Sequence, residues 1–142
     1  MRALFDVNVL LALFDDNHVH HQIAENWWGE HRENGWATCP TTQNGFLRVI
    51  SKPSYQYPVR LADALQLLRH QIELPGHEFW PESLSLLDPN HFNHGHIIGP
   101  NQITDAYLLA LAVENQGRLV TFDRGIPLHA VQLAKHRHLV VL

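Results

Sequence analysis

Cysteine is almost absent from this sequence and basic residues are scarce. The single cysteine, Cys39, cannot close an internal disulfide, and a chain with one thiol fits a reducing cytosol. Lys and Arg number 10 against 14 Asp and Glu, a net charge of −4. A protein that coats nucleic acid without regard to sequence is normally basic, so the charge argues against that class. An enzyme that meets phosphates through a bound cation is not. No apolar run approaches the ~20 residues that a membrane helix needs. Met1-Arg2 leads straight into an apolar segment that already carries Asp6, unlike a secretory signal. The expectation is a cytoplasmic protein with no membrane partner. Internal repeats, linkers and low-complexity tracts are missing too, which leaves one domain over residues 1–142. At 45% hydrophobic and 17% charged residues, the chain has enough apolar surface for a core. What it has in abundance is histidine, 12 in all, the side chain whose charge changes across roughly pH 5–8.

The stretch NQITDAYLLALAVENQGRLVTFDRG, residues 101–125, organises the rest. From Ala106 to Val113 every residue is apolar, more than an amphipathic surface helix requires, so a helix buried on most sides is expected. Thr104 is its expected N-cap, with Asp105 just inside, and Gly117 is the expected left-handed residue closing it. Leu119–Phe122 then reads as a short buried strand, followed by Asp123. The chain opens in the same way, with a strand over Arg2–Phe5 followed by Asp6.

Between these ends, strands and helices alternate. The pattern predicts helices beginning at Val9, over His18–Glu33 with Val19, Ile23 and Trp27 on one face, and from Pro40 (capped by Thr41 or Thr42) to Pro53. Another runs from Pro58 to about Ile72 with Leu61, Leu65 and Leu68 inward. Strands are predicted at Trp36–Cys39, His77–Trp80 and His138–Leu142. Short helical segments are expected at Ser83–Leu87 and Leu128–Ala134. Such alternation implies a three-layer α/β/α domain around a parallel sheet. In sheets of that kind ligands bind beyond the C-terminal strand ends, where Asp6 and Asp123 stand. If Asp6, Asp105 and Asp123 converge, their mutual repulsion is relieved by a hard divalent cation. A cation held there can polarise a phosphodiester and activate water. Taken singly, each aspartate reads more readily as a cap or turn former, and Asp15, Asp16, Asp63 and Asp88 are assigned to that role. The joint pattern of three acids at like boundaries favours a site.

DVNVLLALF at the start, TTQNGFLRVIS in the first third, and ITDAYLLALAV with LVTFDRGI near the end resemble the PIN-domain ribonucleases, most closely the VapC-type toxins of bacterial toxin–antitoxin pairs. The resemblance runs in order over essentially the whole chain. It implies a Mg²⁺- or Mn²⁺-dependent endoribonuclease with an RNA substrate, a cognate antitoxin that blocks the site, and a homodimer. Carried across, the catalytic and metal-binding acids are Asp6, Asp105 and Asp123, with Asn8 and Thr104 as their polar neighbours. One position departs. Many members carry a glutamate near the start of the third helix, where this chain has Gln43 and Asn44. An amide can offer an oxygen but no charge, so the resemblance supports one cation better than two.

Other groups also have ordinary structural readings. Arg124, directly after Asp123, is a candidate contact to RNA or antitoxin, as is Arg48, one helical turn from Lys52; a solvated face is the alternative. His94 or His96 could reach a substrate phosphate. The remaining histidines lack the spacing of a zinc site. Trp27, Trp28, Trp36 and Trp80 read as core or dimer contacts rather than base-stacking platforms. Two other functions stay open. One is a non-catalytic RNA- or protein-binding module, which the missing glutamate favours. The other is a phosphatase with Asp6 as nucleophile, although Asn8 stands where such an enzyme would want its general acid.

Overall fold

Strands covered on both faces are mostly apolar. The short runs Ala3–Phe5 (β1), Trp36–Thr38 (β2) and Arg118–Thr121 (β4) are buried but for half-buried Arg118, and polar only at Thr38, Arg118 and Thr121. The computed structural model describes residues 1–142. In it these runs join His77–Phe79 (β3) and Leu139–Val141 (β5) in one five-stranded sheet of order β3-β2-β1-β4-β5. All four pairings are parallel. The expected α/β/α layering is present, because side chains alternate across the sheet. Leu4, Ala37 and Leu119 join one apolar cluster with helix α5 (Ile103–Glu114). Ala3, Phe5, Trp36 and Val120 join the other, with α1 (Val7–Phe14), α2 (His21–His31), α3 (Pro40–Ile50) and α4 (Leu61–Glu73).

The strand order fixes where a site can form. From β1 the chain moves outward to β2 and β3, then returns to place β4 on the other side of β1. The connections therefore diverge at the C-terminal ends of β1 and β4, the crevice where doubly wound sheets bind ligands. Helix α5 is buried nearly all round, as its composition predicts, with Ala106 and Leu108–Ala112 inaccessible. The sheet covers one side. The segment after β3 covers the other through Trp80 and Phe92, and Tyr107 donates its hydroxyl proton to the Leu84 carbonyl at 3.0 Å.

Several local expectations fail for identifiable reasons. Helix α5 begins at Ile103 behind a 3-10 turn at Pro100–Gln102, so Thr104 is inside the helix and caps nothing. At its other end the left-handed residue is Gln116, with φ 56°. The Gly117 amide donates to Ala112 O at 2.8 Å and that of Gln116 to Val113 O at 3.1 Å, the paired closure of a Schellman end. Gly117 is needed for space: a Cβ there would lie 2.6 Å from Trp80 Cη2 and 2.7 Å from the Arg2 carbonyl. Helix α3 is capped from Cys39, with Pro40 first in the helix and Thr42 Oγ1 accepting from the Cys39 amide at 3.0 Å. Pro58 does not start α4, because the Val59 amide is tied to Ile50 O at 2.9 Å and the helix begins only at Leu61. Its buried face is Ala64 and Leu68; Leu61 and Leu65 are exposed. Helix α2 starts later than expected because the turn at Asp15–His18 occupies the preceding residues, with His18 N donating to Asp15 O. Val19 and Ile23 are exposed and Ala24 is the buried position. Ser83–Leu87 forms no helix, and Leu128–Ala134 contains only a 3-10 turn at Leu128–Ala130.

Candidate active site

The end of β1 is built around hydrogen bonds of Asp6. Its amide donates to Val120 O of the neighbouring strand at 3.0 Å. Its side chain caps α1, Oδ1 accepting from the Val7 amide at 2.7 Å. The second oxygen, Oδ2, accepts from Thr121 Oγ1 at 2.7 Å. Thr121 is fully buried at the end of β4 and joins the whole corner. Its Oγ1 also accepts from Asn8 Nδ2 at 3.2 Å and from the Asp123 amide at 3.0 Å. Asn8 in turn accepts the Phe122 amide on Oδ1 at 3.2 Å. Asn8 therefore braces the β4 end with both amide atoms, and no free acid stands there for a phosphatase. Thr121 was missed in the sequence. The available signal was a hydroxyl inside an otherwise apolar strand, LVTF, two residues before an acid.

Asp123 lies beyond this hub, exposed, with Oδ1 accepting from the Gly125 amide at 2.7 Å. Asp105 comes from the opposite layer, in the first turn of α5 and partly buried. The carboxylates feel one another. Burial first, then the charges of Asp6 and Asp123, and last a hydrogen bond from its protonated form to Asp123 push Asp105 up to about 6. Burial also raises Asp6, and the Asp123 charge adds to it, while the hydrogen bonds from Thr121 and Val7 pull the other way. As the side chains stand, no three His, Cys, Asp or Glu groups form a closed ligand set, and mutual repulsion favours such spreading. The donor chemistry still suits one cation. The oxygens come from three carboxylates on separate elements, and burial, with neighbouring negative charge, disfavours ionisation of two of them. That combination fits a hard divalent ion.

At the departing position the two amides differ. Gln43 is partly buried and its Nε2 donates to Thr38 Oγ1 at 2.9 Å, at the end of β2 beside β1. Asn44 is exposed and makes no side-chain hydrogen bond. Gly45 lets α3 approach the Asp6 turn, since a Cβ there would meet Val7 Cγ2 at 2.5 Å. Thr104 is exposed, without a hydrogen bond from its hydroxyl. Arg124 is exposed beside Asp123, whereas Arg48 lies in the last turn of α3. Trp36 and Trp80 are buried, and Trp27 and Trp28 set their rings edge-on to Phe5 at 6.2 and 5.5 Å. His94 is held by the Leu86 carbonyl at 2.6 Å. A cavity of about 430 Å³ walled by Phe5, Trp28 and Trp36 is lined by none of the three acids.

The sequence matches the PIN domain model over residues 3–131. It is 51% identical over 142 residues, the full length of both chains, to Ribonuclease VapC44 of Mycobacterium tuberculosis. To Ribonuclease VapC39 of the same organism it is 41% identical over 127 residues, covering 89% of this chain and 91% of the relative. Two solved structures share the fold. One is M. tuberculosis VapC20, described as a Sarcin-Ricin loop cleaving toxin, with a TM-score of 0.59 and 9% identity over 82% of this chain and 85% of that one. The other is VapBC2 from Rickettsia felis bound to a DNA fragment from its promoter, with a TM-score of 0.57 and 15% identity over 87% and 89%. No helix of this protein is long and apolar enough to cross a membrane. The chain belongs to the PIN-domain family, among its VapC ribonucleases.

Proposed function

We propose that this protein is a Mg²⁺- or Mn²⁺-dependent endoribonuclease, the toxin of a VapBC-type pair acting in the cytoplasm. The observation that carries the reading is the electrostatic coupling of Asp105 to Asp6 and Asp123 at the topological switch point of the sheet. Full-length identity of 51% to a VapC ribonuclease supports it. Asp6, Asp105 and Asp123 would hold the cation, with Gln43 the neighbouring amide. When bound, the ion supplies Lewis-acid polarisation of a phosphoryl oxygen and lowers the pKa of a coordinated water. The protein's own groups do the positioning. Thr121 and the Val7 amide fix both oxygens of Asp6, while Gly125 fixes one oxygen of Asp123. Asp105, pushed up to about 6, must lose its proton before it offers the cation a charged oxygen. Arg124 lies where it could meet the RNA backbone or an antitoxin carboxylate, and Arg48 is a more distant candidate. The partners follow from the same reading: RNA as substrate, a cognate antitoxin covering the crevice, and a second copy in a homodimer.

The test is to incubate the purified protein with cellular RNA in Mg²⁺, in Mn²⁺ and in EDTA, and to map new 5′ ends. Discrete cuts that need the metal are expected. RNA bound but uncut in every condition would mean a binding module, and turnover of a small phosphate monoester would favour the phosphatase.

A further inference from the structure

Beside Asp123 lies a cavity of about 430 Å³, within the ~300–1,000 Å³ typical of small-ligand sites. Its walls come from the loop that leads into the Asp105 helix and the segment that leaves Asp123. His96 stands on the first, and Arg124, His129 and His136 on the second, and no carboxylate lines it. The two walls are tied together by Gln102, whose Nε2 donates to Gly125 O at 3.4 Å and whose Oε1 accepts from the Ile98 amide at 2.9 Å. The histidines here are unlike most others in the chain. His21, His31, His77, His91 and His94 each engage a ring nitrogen with another residue. The rings of His96, His129 and His136 make no intramolecular hydrogen bond or ion pair, although those of His96 and His129 lie only 6.2 Å apart. Arg124 likewise has no ion-pair partner. In a protein of net charge −4, four unpaired groups of positive or protonatable character around one cavity form a local anion site. Its position one residue beyond an acid of the crevice identifies the anion.

We propose that this cavity is a subsite for the RNA backbone adjoining the scissile phosphate, in which Arg124, His96, His129 and His136 donate to phosphodiester oxygens. Such contacts set the register of the strand without reading its bases. They would also let an acidic protein hold RNA beside its own carboxylates. The proposal rests on the ribonuclease reading above, and the two can fail separately.

The experiment uses the full-length Asp105→Asn protein in EDTA, so that binding is observed without cleavage. Imidazole resonances are followed by NMR during titration with a short mixed-sequence single-stranded RNA, and with a methylphosphonate analogue whose backbone is uncharged. The RNA is expected to shift the His96, His129 and His136 rings together and leave that of His70, on α4, in place; the analogue is expected to move none of them. In the same background, His129→Asn/His136→Asn is expected to weaken RNA binding about tenfold, the scale of one or two lost phosphate contacts, and His70→Asn to leave it unchanged. RNA that binds without moving the three rings, or with undiminished affinity for the double variant, would overturn the subsite. In that case metal-dependent cleavage by the parent would leave the ribonuclease reading intact. A parent that cuts no RNA would remove both.

Discussion

At the scale of single residues, the corner between β1 and β4 shows why an aspartate at a strand end can be both structural and chemical. Asp6 caps α1 and is held by Thr121, so its capping role is compatible with the metal-binding role proposed for it. Asp105 carries the electrostatic strain. Its carboxyl is raised from 3.8 to about 6, so in metal-free protein the folded state binds that proton more tightly than the unfolded chain does. The favourable linkage is complete below 3.8, fades as pH rises towards 6, and above that the ionised group is a net burden on the fold. Asp105→Asn is therefore expected to melt higher than the parent at pH 7 in EDTA, with the gap closing towards pH 4. A gap that stays constant across that range would show that Asp105 is not held up by burial and its neighbours. The amides make a second residue-scale prediction. Gln43→Glu is nearly isosteric at a position tied to the end of β2, and an added carboxylate strengthens binding of a hard cation. The Mg²⁺ midpoint for RNA cleavage is expected to fall for Gln43→Glu and to stay put for exposed Asn44→Glu. Two unchanged midpoints would place both amides away from the metal.

Among the elements, α5 was the most legible in the sequence and its ends were the least. Continuous apolarity over 106–113 called for burial on most sides, and the structure supplies it from the sheet and from the segment around Phe92. Leu109 is fully buried within it, so Leu109→Ala is expected to cost about 2–5 kcal/mol in chemical denaturation; an unchanged midpoint would contradict the packing. The ends depended on contacts between residues distant in sequence. A glycine after a helix reads as a left-handed cap, but Gly117 is required by Trp80 and the Arg2 carbonyl, and Gln116 takes the left-handed turn. Opposite signs follow. Gly117→Ala should lower the melting temperature, by about 1–3 kcal/mol of overpacking, whereas Gln116→Gly should leave it unchanged or raise it. Leu61 and Leu65 misled for a related reason. The inward face of α4 carries Ala64 and Leu68, which join the cluster of Phe46 and Ile50 from α3.

For the whole molecule, the layer order and the line of strand ends were legible because they follow from alternation and from the handedness of parallel crossovers. The acids at those ends could be picked out by position alone. What joins them could not, since the Thr121 hub links residues more than a hundred positions apart. Nor could the cavity of His96, His129 and His136, whose walls are separate in the chain. On the proposed reading, these parts would let an acidic chain present both a cation site and an anion site to RNA. If the three carboxylates act together in RNA cleavage, single-turnover cutting of a mapped RNA site at saturating Mg²⁺ should be lost in each of Asp6→Asn, Asp105→Asn and Asp123→Asn while the variants stay folded. Parental rates in a folded Asp105→Asn protein would mean that the carboxylates do not act as one site.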